Sequence, residues 1–560
     1  MSTDPHAPLA LNRRQLLIGG GALGALALAG PLRARAQVPP LLTAESTTIE
    51  VKGKAAKVFV VRGPSGEGIF AKEGDRLSGS LVNASGTPLQ MHWHGQIFAP
   101  PEQDRARPDG TPLAPGGTDA VDYPLTPGTH WMHSHSMTEQ QLLAAPLITR
   151  EADAGEAQDV VVMLHDFAFR SPQEILAELG AAGGHGAHGA GPMPSQAMGA
   201  PGMGQQGMGH DGMGHDGVGH GAMGHGGMGQ AGMGQAGMGQ AGMGQAGMGQ
   251  AGMGPASMPT PPIGAGYGMG AGHGMGAGMM GGTAMGGAGM AGMAHANDVA
   301  YDAYLANRRT LADPEVVRVE KGAAVRLRII NGGTATAFFI TVPGLEPRCV
   351  AVDGSPCVPV RALAFPLAQG QRIDLVVDIP KEGGAFPVLA QVEGATARTG
   401  LILATAGATI PRVAEAAEQA QGLLDLSFES TLAATRPLAV RPADRAFPVM
   451  LGEEPGYRWT INGRVHGEDV PFDVRQGERV EMTFMNPTMM SHPMHIHGHH
   501  FQVVGLGGRR FSGPVRDTVI VPPHVPVTIA FDAGPKGEWF LHCHHLYHMA
   551  GGMMTMVRVA

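Results

Sequence analysis

The stretch Trp539-Phe-Leu-His-Cys-His-His-Leu-Tyr-His-Met-Ala-Gly-Gly-Met553 decides how the rest of the chain is read. His542, Cys543 and His544 are expected on a short strand, where neighbours point to opposite faces and alternate residues share one. The two imidazoles then look one way and the thiol the other. His548 and Met553 follow five and ten residues after the cysteine, far enough along to curl back to its sulfur. A thiolate with two imidazoles and a distant thioether is the donor set of a blue electron-transfer copper. The segment has one imidazole free for that role, so a second has to come from upstream. His542 and His544 join this centre, through one peptide on either side, to whatever they bind themselves.

Three more histidine-rich motifs lie upstream: His92-Trp-His94, His133-Ser-His135 and His492-Pro-Met-His495-Ile-His497. One His-x-His alone says little, because strand histidines more often sit in a polar network than on a metal. Four such pairs, two early and two late in the chain, supply about the number of imidazoles that three metals without sulfur need. His492 is then left over as the missing partner of the thiolate.

Between the motifs the pattern is of short β-branched runs broken by Gly, Pro, Asn and Asp, such as Thr48-Ile-Glu-Val and Arg76-Leu-Ser-Gly-Ser-Leu-Val. That is the signature of antiparallel sandwiches. The phrase Val316-Val-Arg-Val-Glu-Lys-Gly returns in kind as Phe472-Asp-Val-Arg-Gln-Gly, a sign of internal repetition. The reading is all-β: domain 1 over 37–155, domain 2 over 156–410 and domain 3 over 424–560. Helices are expected near Ser171–Leu179 and Val413–Ala420. Residues 183–296 interrupt the second domain. Methionine recurs there every five residues from Met193 to Met258, missing only at Val218, with His210, His215, His220 and His225 interleaved. A period of five fits neither helix nor strand. So Gly-rich a segment, with almost nothing to bury, is expected to be disordered.

Residues 1–36 carry Arg13-Arg14 before a mild apolar run and an Ala34-Arg35-Ala36 cleavage site, which reads as a twin-arginine export signal. The run is too short to span a membrane. The signal contains four arginines and one aspartate, so its removal takes the formal charge from −9 to −12. An acidic mature chain argues against nucleic acid and anionic lipid as partners. Three cysteines are too few for a disulfide framework. Cys349 and Cys357 have the option of pairing, and Cys543 stands apart.

In order and spacing, the four motifs resemble those of the multicopper oxidases: laccases, cuprous oxidases and copper-resistance oxidases of the bacterial periplasm. The resemblance covers the mature chain except the insert. It implies three cupredoxin-like Greek-key β-sandwiches and four copper ions, one type 1, one type 2 and two type 3, with a trinuclear cluster between the first and third domains. Carried over by position, the type 1 copper takes His492, Cys543, His548 and Met553, and the type 2 copper takes His92 and His495. One type 3 copper takes His94, His133 and His544, the other His135, His497 and His542. His492 and His548 are expected nearest the surface, where a reductant docks. Cys543 is expected to pass electrons through His542 and His544 to the cluster, which reduces dioxygen to water.

The family also places an acid shortly after the first motif. Asp104 lies near the usual distance and Asp109-Gly110 has the usual wording, so both remain candidates. A second acid, carried by related periplasmic oxidases as His-Met-Glu, is replaced here by His548-Met549-Ala550. His130, His499, His500 and His545 match no ligand position and are expected at the surface or behind the ligands.

The insert holds about twenty of the 35 methionines, and Met489, Met490, Met494, Met549 and Met554 crowd the two type 1 segments. Thioethers suit Cu(I), so Cu(I) is the expected reductant and copper tolerance the expected role, in a periplasmic monomer. A laccase acting on small phenols is the neighbouring reading. A copper-sequestering protein is the alternative from a different class.

Overall fold

The computed structural model describes residues 41–181 and 296–560. The export signal and, but for Ala296, the Met/Gly/His-rich insert lie outside the described residues. What is described is three sandwiches. In the first, a five-stranded sheet built around Leu41–Val51, Lys54–Gly63 and Arg76–Ala84 faces a four-stranded one. The four-stranded sheet runs Ile69–Lys72, Ala144–Arg150, Gly128–Ser134, Met91–His94. Both inner faces feed one core, with Leu42, Phe59, Leu81 and Tyr123 from the first sheet meeting Met91, Trp93, Met132 and Leu147 from the second. The second sandwich packs a six-stranded sheet against a five-stranded one around Leu327, Phe338, Leu375 and Leu401. The third packs a seven-stranded sheet against a five-stranded one around Trp459, Phe484, Ile529 and Leu541.

Strand pairing sets the site. Met91–His94 lies antiparallel to Gly128–Ser134 with His92 opposite His133. His492–Ile496 lies antiparallel to Gly537–Cys543 with Met494 opposite Cys543 and His495 opposite His542. Each motif thus starts on a buried, hydrogen-bonded strand, with His135, His497 and His544 one residue past the strand ends.

The helix Pro172–Ala181 forms where Ser171 and Glu174 make a reciprocal capping box, Ser171 N–H to Glu174 Oε2 at 2.7 Å and Glu174 N–H to Ser171 Oγ at 3.2 Å. The helix expected at Val413–Ala420 is absent. That segment instead runs alongside 395–398, where Arg398 N–H donates to Glu415 O at 2.8 Å and Ala417 N–H to Thr396 O at 2.8 Å. Backbone groups committed sideways cannot also bond along a helix. Downstream, Phe428 and Leu432 pack into the second core, and the first strand of the third sandwich is Arg445–Glu454. Cys349 and Cys357 are free, buried thiols in contact on neighbouring strands, their Sγ atoms 3.8 Å apart. No helix among the described residues is long and apolar enough to cross a membrane.

Candidate metal centres

The histidines and cysteine of the four motifs meet in four buried groups. In the first, His492 Nδ1 and His548 Nδ1 each lie 3.7 Å from Cys543 Sγ and 3.2 Å from one another. Met553 is fully buried and tied to this group by its backbone, its N–H donating to His548 O and its carbonyl accepting from Cys543 N–H. His92 Nε2 faces His495 Nε2 at 3.3 Å. His94 Nδ1 faces His133 Nε2 at 3.5 Å, with His544 completing the group. His542 Nε2 lies 3.2 Å from His135 Nε2 and 3.1 Å from His497 Nε2. The strand ends at Cys543, yet the alternation carries on to His544: the two imidazoles enter two neighbouring groups and Cys543 enters the separate one.

The donors fit a metal. Burial first, and neighbouring imidazoles second, push His92, His135, His497 and His544 well below their ordinary pKa; His495 falls to about 4 and His548 to about 3. These rings are neutral, the form that binds metal. Both nitrogens of His544 are buried without a hydrogen-bond partner. A Cβ on Gly370 would strike the His544 ring at 2.6 Å, so that glycine leaves room for it. Burial also pushes the Cys543 thiol upward, and a bound cation reverses that tendency.

Behind the groups, outer nitrogens are held. His497 Nδ1 donates to Ala106 O at 3.1 Å, His495 Nδ1 to Asp517 O at 2.8 Å and His542 Nδ1 to Cys543 O at 2.9 Å. His92 Nδ1 lies 2.7 Å from Asp104 Oδ2, His94 Nε2 lies 3.1 Å from Asp517 Oδ1, and His133 Nδ1 lies 3.0 Å from Glu139 Oε2. Such partners fix which nitrogen is free to ligate. Asp517 is itself gripped by Arg372 through two 2.6 Å contacts. Burial works against that carboxylate, but the guanidinium outweighs it and holds Asp517 ionised.

The geometry separates the two acid candidates. Asp104 is buried against His92, and burial pushes its carboxyl up to about 7. Asp109 is excluded from the centre: its side chain is 78% exposed and pairs with Arg107 at 2.8 Å.

One other expectation is corrected. His492 and His548 are fully buried rather than near the surface, because Trp459 packs on both rings and Asp298 covers the outer edge of His548. Of the two places expected for the remaining histidines, the surface or behind the ligands, they take the second: His130, His499 and His545 are buried and His500 is 15% exposed. His130 receives Arg372, His499 spans His497 O and Gly534 N–H, and His545 stacks on His548 at 3.7 Å. Met490 and Met494 are core filling. Met549 and Met554, with Met137, His466 and Phe540, line a cleft of about 530 Å³ that reaches His135.

Asp298, Glu139, Asp517 and Arg372 went unnoticed in the sequence. Asp298 Oδ2 sits 3.6 Å from His548 Nε2, its Oδ1 3.3 Å from His545 Nε2, and Tyr457 OH donates to it at 2.5 Å. Only Glu139, six residues past His133, had a local signal.

Sequence families described as multicopper oxidase match residues 43–152, 282–415 and 442–560. The multicopper oxidase MmcO of Mycobacterium tuberculosis is 34% identical over 259 residues, covering 46% of this chain and 51% of that protein. Copper resistance protein A of Escherichia coli is 24% identical over 340 residues, 42% of this chain and 56% of that one. The chain therefore matches about half the length of these curated relatives. Among solved structures, the laccase from Botrytis aclada superposes with a TM-score of 0.63 at 19% identity, covering 92% of this chain and 87% of that one. Fet3p, a multicopper oxidase that functions in iron import, gives 0.62 at 14%, covering 93% and 90%.

Proposed function

Because this chain belongs to the multicopper oxidase family, we propose that it oxidises a reductant one electron at a time and reduces dioxygen to two waters with four such electrons. The observation that carries this reading is the convergence of ten histidines and one cysteine, from both ends of the chain, into four buried donor groups. His492, Cys543, His548 and Met553 would hold a type 1 copper, and His92 and His495 a type 2. His94, His133 and His544 would hold one type 3 copper, and His135, His497 and His542 the other. Copper bound in these groups would supply one-electron redox chemistry and a site for dioxygen.

The chain's own contribution is geometry, exclusion of water and protons. Cys543 sits between His542 and His544, so the covalent path between the groups is one peptide long on either side. Asp104, whose carboxyl burial pushes up to about 7, is poised to take and give a proton near neutral pH beside His92 and would serve as the local proton source. The cleft at His135 supports access of dioxygen from solvent.

In this reading the reductant is Cu(I), with small phenols as secondary substrates. Asp298 offers an anionic edge to a cation at His548, and the insert offers soft thioethers. A matched relative is a copper resistance protein. The twin-arginine signal supports export to the periplasm, where the chain acts as a monomer in copper tolerance. Oxygen uptake with Cu(I) and with a phenol, in the full chain and in one lacking residues 183–296, tests the assignment. Faster uptake with Cu(I), lost with the segment, is expected. Cu(I) uptake undiminished by the deletion would remove the segment from the reaction. Copper tolerance that persists in Cys543→Ser would replace oxidation by sequestration.

A further inference from the structure

Glu139 is a buried carboxylate whose surroundings do not account for it. It is 3% exposed, and it sits in the short 3-10 helix Met137–Gln141 that follows the His133-Ser-His135 motif. Its Oε2 contacts His133 Nδ1 at 3.0 Å, and its Oε1 is buried with no partner. Among the described residues no lysine or arginine pairs with it; its ion-pair contact is with His133. Asp517, the carboxylate behind His94, is different, because Arg372 neutralises it. A buried carboxylate without a counter-cation is strongly disfavoured. The charge missing around Glu139 is a positive one, and among the described residues the hydrogen-bond partner of its carboxylate is an imidazole whose other nitrogen faces His94 Nδ1 and His544.

The helix holds Glu139 in place. The next residue, Gln140, takes three hydroxyls on its Oε1: Thr334 at 2.5 Å, Tyr301 at 3.0 Å and Tyr547 at 3.1 Å. Tyr547 immediately precedes His548, so this short helix is bolted to the segment that closes the cysteine group. The backbone that carries Glu139 is thereby fixed beside His133.

We infer that Glu139 is a positioning residue for the metal group His94–His133–His544: its carboxylate accepts a hydrogen bond from His133 Nδ1–H, which turns Nε2 toward the group, and its negative charge would balance a cation bound there. The inference rests on the ligand assignment proposed above. Carboxylate–imidazole–metal chains act this way by orienting the ring and raising its basicity, and losing the carboxylate typically loosens the metal about 10- to 100-fold.

The test is copper content per chain, and copper retained against a competing chelator, for wild type, Glu139→Gln, Glu139→Asp and Glu139→Ala. The blue absorption of the cysteine centre is followed in parallel. Gln keeps the shape and a hydrogen-bond acceptor but loses the charge, so it guards against a simple folding defect. Copper outside the cysteine centre should be lost about 10-fold more readily in Glu139→Gln and up to about 100-fold more readily in Glu139→Ala. Asp should recover part of the loss, and the blue colour should persist in all. Chelator resistance in Glu139→Gln equal to wild type overturns the inference, as does loss of blue colour in proportion to total copper. A His133→Ala control separates the two levels. If removing that ring leaves copper content unchanged, the ligand assignment itself fails.

Discussion

Asp298 and His548 meet carboxylate to imidazole across 250 positions of sequence, Oδ2 3.6 Å from Nε2, on a ring whose Nδ1 faces Cys543 and whose faces pack against Trp459 and His545. Asp298 is 10% exposed where His548 is not exposed at all. Of the two, the carboxylate is the one that solvent touches.

A reductant that is a cation should feel that charge and a neutral one should not. Asp298→Asn is expected to lower kcat/KM for Cu(I) about 10-fold, a barrier change of about 1.4 kcal/mol, while leaving that for a neutral phenol within about twofold. Parallel steady-state oxygen uptake checks it. Equal loss on both substrates would mean that Asp298 supports His548 rather than the reductant.

Asp104 and Asp109 share a loop and differ in burial, so their amides should behave unlike one another. Asp104→Asn removes the protonatable group beside His92 and should cut turnover at least about 10-fold. Asp109→Asn, changing an exposed pair worth little, should stay within about twofold. Turnover assays on the two variants at neutral pH decide.

The Arg372–Asp517 pair is fully buried on both sides. Arg372→Met strands Asp517 without its partner and should destabilise the fold by about 3–5 kcal/mol. Chemical denaturation of the metal-free protein reads this directly. A loss under about 1 kcal/mol would show that His500 and His94 suffice to hold the carboxylate.

Glu393 offers a pH test far from the metal groups. Burial pushes its carboxyl up from 4.5 to about 7, opposed only by the Leu424 N–H that donates to it at 2.6 Å. A raised acid favours the protonated fold, so its contribution is complete below about pH 4.5 and is lost as pH rises through about 7. At pH 8 the ionised group costs about 3 kcal/mol. Glu393→Gln keeps the acceptor for Leu424 and should stabilise the protein at pH 8 by about that amount, with little change at pH 5. Unfolding at the two pH values compares them.

Local periodicity made part of this molecule readable. The alternation of residues 542–544 is a property of any strand, and the Ser171/Glu174 capping box marks a helix within four residues. The chain's outer partners were not readable in the same way. Asp298, Arg372 and Asp517 reach His548, His130 and His94 across 250, 242 and 423 positions, and no period connects residues so far apart. The helix expected at Val413–Ala420 failed because a neighbouring strand claims its backbone. The burial of His492 and His548 was missed because the covering groups, Trp459 and Asp298, come from segments with no metal motif.

The register that sets Met494 against Cys543 and His495 against His542 also governs what changes of length the chain can survive. One residue added within 492–497 or 542–544 would turn every later donor on that strand to the opposite face and empty both kinds of centre at once. Between Ala181 and Ala296, by contrast, the same chain carries over a hundred residues. Deletions and duplications in this protein are thus confined by strand parity. Its length is free to drift where the two faces of a strand are not at stake, and is locked to the single residue where they are.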